Sequence, residues 1–212
     1  MHTRLVRSGL FSFSTLLTVV LLGALTGCSI PGSPDPELSE RLEQNGYSFM
    51  PPAETGWFIT QRSANQVAIA KLGKVEGQTY LIEGAPMAVN ELNEPSRLTD
   101  FVKQRDRRNF PGPRFRLREH EVSQIRIAGA QCALSQVVAE DRDPETGTNV
   151  VTAMLIETVG TVCIHPTNTN VAITLTLSHR SFPEDQDRAF KAYAQSLLET
   201  QQFSPFNNQA TN

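Results

Sequence analysis

"VAITLTLSHR", residues 171–180, alternates without a break. Val171, Ile173, Leu175 and Leu177 fall on one side of an extended chain, and Ala172, Thr174, Thr176 and Ser178 on the other. A period of two with one apolar side predicts a half-buried strand with one face on a core. Its neighbours decide the fold. Downstream, "DQDRAFKAYAQSLLETQQF" places Phe190, Tyr193, Ala194, Leu197 and Leu198 at helical spacing, with Asp185 and Asp187 near the positive end. Upstream, "QIRIAGAQCALSQVVAED" and "NVVTAMLIETVGTVCI" read as strands joined by the turn "DPETGT", and "HPTNTN" turns into the Val171 strand.

Further upstream, "GPRFRLREHEV" starts another alternating strand. "EPSRLTDFVKQRDRRNF" predicts a helix that begins at Pro95, with Leu98, Phe101, Val102 and Arg105 on one stripe. "TYLIEGAPMAV" is a strand, and "GWFITQRSANQVAIAKLG" is two strands around a turn near Ser63 to Asn65. "DPELSERLEQNG" predicts a short helix capped by Asp35 and ended by Gly46. Strands, a helix, an antiparallel meander and a closing helix make an α+β domain, a mostly antiparallel sheet packed by helices.

That order resembles the PsbP-like fold, the superfamily of photosystem II extrinsic proteins that also includes bacterial lipoproteins. In the second half, Gly129 precedes Cys132. The block Glu157, Gly160, Cys163, His165 and Pro166 follows, and then Ser178, His179 and Arg180. This pattern resembles an uncharacterised family of secreted or lipidated bacterial proteins. The resemblance implies the fold and the cysteine pair, and no activity.

The start of the chain gives an address. Arg4 and Arg7 form a positive region, and Leu16 to Leu25 is an apolar run too short for a comfortable span, which needs about 20 residues. Thr26 and Gly27 are small, and Cys28 follows directly. Leu25-Thr26-Gly27-Cys28 resembles a bacterial lipobox, in which the thiol takes a diacylglyceryl group and the leader is cut before the cysteine. Two or more acyl chains suffice for stable anchoring. Ser29 after the cysteine favours the outer membrane over inner-membrane retention. The expected organisation is a signal peptide at 1–27, a lipidated Cys28 with a Pro/Gly/Ser-rich tether to 36, one domain at 37–203, and a disordered tail at 204–212.

The chain carries 19 Lys+Arg against 22 Asp+Glu, net −3. The leader holds two of the cations and no acid, so the remainder is more acidic still, and nucleic acid is not an expected partner. Beyond Cys28 only Cys132 and Cys163 remain, an even pair in an oxidising compartment, which predicts a disulfide. Two buried free thiols are the alternative. A simple hairpin centred between Glu145 and Thr146 puts Cys132 opposite Val159, so the bridge requires a bulge at Gly129 or Gly160, or bent strands.

No catalytic set emerges. Cys163 and His165 share a strand side without pointing at each other, and Cys132 is there to consume the thiol. The spacing of Cys132, Cys163, His165 and His179 matches no zinc pattern. Asp141, Asp143 and Glu145 imitate a calcium loop, but its Gly is late and Thr152 stands where Glu belongs. Trp57 on an alternating strand reads as core. No metal or cofactor is expected.

One run is strongly basic: Lys103, Arg105, Arg107, Arg108, Arg114, Arg116 and Arg118, against Asp106 alone. Alternation puts Arg114, Arg116, Arg118 and His120 on one face. Such a row is either paired with the chain's own acids or a site for an anionic partner: anionic lipid, lipopolysaccharide or an acidic protein. The function expected is an outer-membrane, lipid-anchored, periplasm-facing lipoprotein serving as a non-enzymatic binding or accessory module. The alternative is a periplasmic enzyme with a scattered site, which a cleft holding Glu157, His179 and Arg180 would favour.

Overall fold

A computed structural model describes residues 36–89, 92, 94–143 and 153–206. The expected leader, Cys28, the expected tether to Asp35, most of the predicted "DPETGT" turn with Glu145, Thr152, and the chain beyond Phe206 lie outside the described residues. A 3-10 turn, Pro36–Ser39, is followed by β1 (Leu42–Gln44), β2 (Tyr47–Phe49), β3 (Trp57–Arg62), β4 (Val67–Leu72) and β5 (Thr79–Ala88). Then come α1 (Pro95–Asn109), β6 (Phe115–Ile127), β7 (Ala130–Asp141), β8 (Met154–His165) and β9 (Asn168–Ser181). A second 3-10 turn leads to α2 (Phe190–Leu198) and β10 (Gln202–Phe203).

The alternating Val171 stretch lies in the middle of β9, which runs between β5 and β8 in a seven-stranded sheet of order β3-β4-β5-β9-β8-β7-β6. Its neighbours are antiparallel throughout. Ile173, Leu175 and Leu177 bury one face with Ile69, Ile82 and Val159, under α2 and β1–β2. Phe190, Ala194, Leu197 and Leu198 form the helix stripe that covers them, as their spacing requires. On the other face, Leu98 and Val102 of α1 pack on Ala133, Val162, Ile164 and Ala172. The chain is therefore α+β, an antiparallel sheet with a helix on each face. Pro86 sits within β5, where β4 pairing has already stopped at Gly84, so it breaks no ladder on that side.

Four expectations are corrected. The N-terminal helix is only the short 3-10 turn, and the residues after it form the β1–β2 hairpin. Asn45 and Gly46 make its two-residue connection, with Gly46 at φ 85. An Asn-Gly pair between extended segments is a strong hairpin signal, stronger here than the helix cap read into Asp35 and Pro36. Second, β6 does not break before Gln124 but runs on to Ile127, and the turn is Ala128–Gly129, both at positive φ. Third, β7 and β8 pair without a bulge, and Cys132 lies directly opposite Cys163. The last ladder pair is Asp141 with Met154, so the connection is longer and centred later than a tight "DPETGT" turn allows. Fourth, the fold extends past 203. Ser204 N–H donates to the Gly46 carbonyl, and the Phe206 ring meets His165 edge-on.

Candidate functional site

The residues with reactive side chains are mostly consumed inside the fold. Cys132 and Cys163 form a disulfide with Cα atoms 4.0 Å apart, wholly buried beside Ile127 and Ala130. His165 is wholly buried, and its Nε2 reaches the carbonyls of Gly46 at 3.0 Å and Ser204 at 2.9 Å. Two acceptors require that Nε2 carry the proton, and Nδ1 accepts from the Thr167 N–H. His165 is thus a clasp between the first hairpin and the C-terminal strand.

His179 is also wholly buried, stacked on Tyr80 at 4.3 Å. Its partners fix its tautomer. Gln78 Oε1 accepts from the Lys74 N–H and Gln78 Nε2 donates to the Asp185 carbonyl, so the same Nε2 donates to His179 Nε2 at 3.0 Å. Nδ1–H then donates to Glu157 Oε2 at 3.4 Å. This is the orienting half of an acid–base pair, but Gln78 occupies the nitrogen that a substrate would need. Burial, with Asp187 adding to it, pushes the Tyr80 phenol up to about 12. Arg180 points to the opposite face, so the Glu157, His179 and Arg180 cleft does not form.

The basic run is divided rather than pooled. A bulge at Arg118 shifts the β6 register between Leu117 and Glu119 and reverses the alternation beyond it. His120 therefore leaves the row of Arg114 and Arg116 and turns to Asp106 of α1. Lys103 pairs with Asp100, Arg105 with Asp106, Arg114 with Asp141 and Arg118 with Glu140. Arg107, Arg108 and Arg116 are exposed. Four of the seven cations are thus neutralised by the chain's own acids, two of them on α1 and two on β6 and its approach.

The Arg114–Asp141 pair is the strongest of these. Nε and Nη2 both bond the carboxylate at 2.9 Å, and the Asp141 side chain is 1% exposed. These bonds hold the Asp141 carboxyl below its ordinary range. A depressed carboxylate stabilises the fold above its unfolded pKa, and that contribution disappears as pH falls through the folded value. Arg114→Gln should therefore cost about 1–3 kcal/mol near neutral pH, and little in strong acid. Urea unfolding at the two pH values measures it. An equal cost at both would mean that the pair does not contribute through charge.

Asp106 is a second hub, and the spacing of α1 carries a signal for it. Leu98, Val102 and Asp106 are spaced four apart, so a carboxylate continues the apolar stripe of α1. Buried carboxylates require partners. Arg105 donates to Oδ1, while Ser135 Oγ and His120 Nε2 meet Oδ2. The carboxylate lies between serine and histidine, so the histidine is no base for the serine, and the set ties α1 to the sheet.

Beside this hub the α1-facing side of the sheet is open. A trough of about 210 Å3 with a mixed lining, Val137 and Ile156 among its apolar residues, runs between Glu83 on β5 and the last turn of α1, Arg105 to Phe110. Two neighbouring rows across the strands make its floor: Thr176 and Gly160, then Ser178 and Thr158. Gly160 has its own reason to be glycine, since an added Cβ would lie 2.8 Å from Thr176 Oγ1. Glu83 and Asn109 are exposed, and neither they nor Thr158, Thr176 and Ser178 make a side-chain bond among the described residues. This trough is the candidate site. Trp57, by contrast, is core, 2% exposed. Among the described residues no His, Cys, Asp and Glu group is placed to hold a metal ion, and no helix is long and apolar enough to cross a membrane.

No protein-family model matches the chain, and no curated protein matches it. Among solved structures it is similar to the cyanobacterial PsbP (CyanoP) of Synechocystis sp. PCC 6803. That match has 15% identity over 86% of this chain and 99% of that one, with a TM-score of 0.43. A crystal structure from Bacteroides thetaiotaomicron VPI-5482 is similar at 13% identity over 74% of this chain and 45% of that one, TM-score 0.37. The architecture described above stands on its own strand order and register.

Proposed function

We propose that the protein is an outer-membrane, lipid-anchored periplasmic lipoprotein that acts as a non-enzymatic binding or accessory module of PsbP-like architecture. One observation carries the binding reading. The described histidines and the domain cysteines are spent on bonds within the fold, whereas Glu83, Asn109, Thr158, Thr176 and Ser178, with bonding capacity to spare, line one open trough. The anchor rests on the sequence Leu25 to Cys28 and its charged, apolar leader. The PsbP-like architecture rests on the order of elements, from the β3–β5 strands through α1 and the meander to α2. The basic run adds less to a membrane role than its charge count suggests, because Lys103, Arg105, Arg114 and Arg118 are paired internally.

The test is Cys28→Ala. It should abolish metabolic labelling with palmitate and move the domain to the soluble periplasm, or leave an uncleaved precursor. Outer-membrane fractionation of the variant after a high-salt wash would refute the anchor.

A further inference from the structure

We infer that the trough beside α1 binds a single neutral sugar unit. This names the ligand class of the proposed binding module and rests on that reading. The floor is a grid. Thr176 and Ser178 are alternate residues on β9, and Thr158 pairs with Ser178 on β8. Alternate residues are about 7 Å apart along a strand and neighbouring strands are about 4.8 Å apart. Three hydroxyls at that spacing cover the footprint of one six-membered ring. Gly160 leaves room for the Thr176 hydroxyl, whose Oγ1 would lie 2.8 Å from a Cβ there, so the Thr176 corner of the grid sits down on the sheet.

The walls select the chemistry. The charge of Arg105 is taken up by Asp106, and Asp106 by Arg105, Ser135 and His120. Glu83 is the one lining charge with no partner among the described residues, and it repels an anion. A lone cation would satisfy Glu83 and leave the hydroxyl floor and Asn109 unused. Hydroxyls and an amide both donate and accept, and a carboxylate only accepts. Neighbouring hydroxyls on one ligand meet that mixed demand. Phe110, in edge contact with Phe115 at 5.6 Å, joins Val137 and Ile156 as the apolar part of the lining, against which the C–H face of a ring can pack. The trough measures about 210 Å3, room for one sugar ring. One side is open, so a dissociation constant of about 1 mM is expected.

The test is an NMR titration of the 15N-labelled full chain in phosphocholine micelles. The probes are methyl β-glucopyranoside and N-acetylglucosamine, with sodium sulfate and ethanolamine as ionic comparisons. Saturating shifts of the Thr158, Gly160, Thr176 and Ser178 amides with either sugar are expected. Glu83→Gln and Asn109→Ala, both at exposed positions, should each weaken binding about tenfold and leave the remaining spectrum unchanged. The inference is overturned if neither sugar shifts these amides, if sulfate or ethanolamine shifts them at lower concentration, or if both variants bind as the parent does. The Cys28→Ala result is independent, because fractionation reports the anchor and the titration reports the trough.

Discussion

Replacing Cys132 and Cys163 together by Ala should lower the unfolding free energy by about 3–4 kcal/mol. The bridge joins residues 31 apart, and opening it returns that loop's conformational entropy to the unfolded chain. Both side chains are wholly buried among Ile127, Ala130 and the partly buried Phe203, so no solvent contact offsets the loss. Urea unfolding provides the check. The midpoint should fall and the denaturant dependence should steepen, because the unfolded chain exposes more surface without the cross-link. Mass analysis of the parent after unfolding without reductant should show no alkylatable thiol from this pair. A double variant within about 1 kcal/mol of the parent would contradict the entropic account.

Tyr47→Ala should cost about 3–5 kcal/mol, the range for emptying a buried aromatic site. The ring is wholly buried at the start of β2, over Gly84 of β5. Burial raises its phenol well above the ordinary range, and among the described residues its hydroxyl reaches only the Asn65 carbonyl, at 3.4 Å. Its value to the fold is therefore its volume. Gly84 is what admits it, since a Cβ there would stand 2.8 Å from Tyr47 Oη and 2.9 Å from Cε2. Gly84→Ala alone should cost about 1–3 kcal/mol by overpacking. In the Tyr47→Ala background the clash is gone, and the same change should cost at least about 1 kcal/mol less. A double-mutant cycle in urea measures the coupling. Strictly additive costs would show that ring and glycine do not meet as described.

Much of the architecture was legible because its elements are strongly periodic. The β9 alternation, the α2 stripe and the β3–β4 turn needed only local rules, and the cysteine pair needed only a count and a compartment. The misread elements are those where two local rules competed. Asp35 and Pro36 suggested a helix start while Asn45–Gly46 marked a hairpin, and the hairpin won because it can add β10 as a third strand. The row Arg114 to His120 looked continuous because a bulge leaves no mark on a run of alternating residues. Register is a property of two strands, and one strand's sequence cannot report it. The trough was equally hidden. Thr176 and Ser178 read as an ordinary solvent side of β9, and nothing local says that Glu83 lies across from one of them or that α1 ends beside both.

The sequence by itself determined the class of fold, the closing helix and the cysteine pair. Those follow from hydrophobic period, residue count and short-range spacing, which act along the chain. Only the tertiary structure decided that Cys132 faces Cys163 without a bulge, that the basic run is divided among Asp100, Asp106, Asp141 and Glu140, and that the histidines are clasps. It also decided where polar groups are left with capacity to spare. The reason is physical: a charge or a hydroxyl becomes structural or available according to which groups from distant strands come within hydrogen-bond reach, and that is settled by register and by the covering helix.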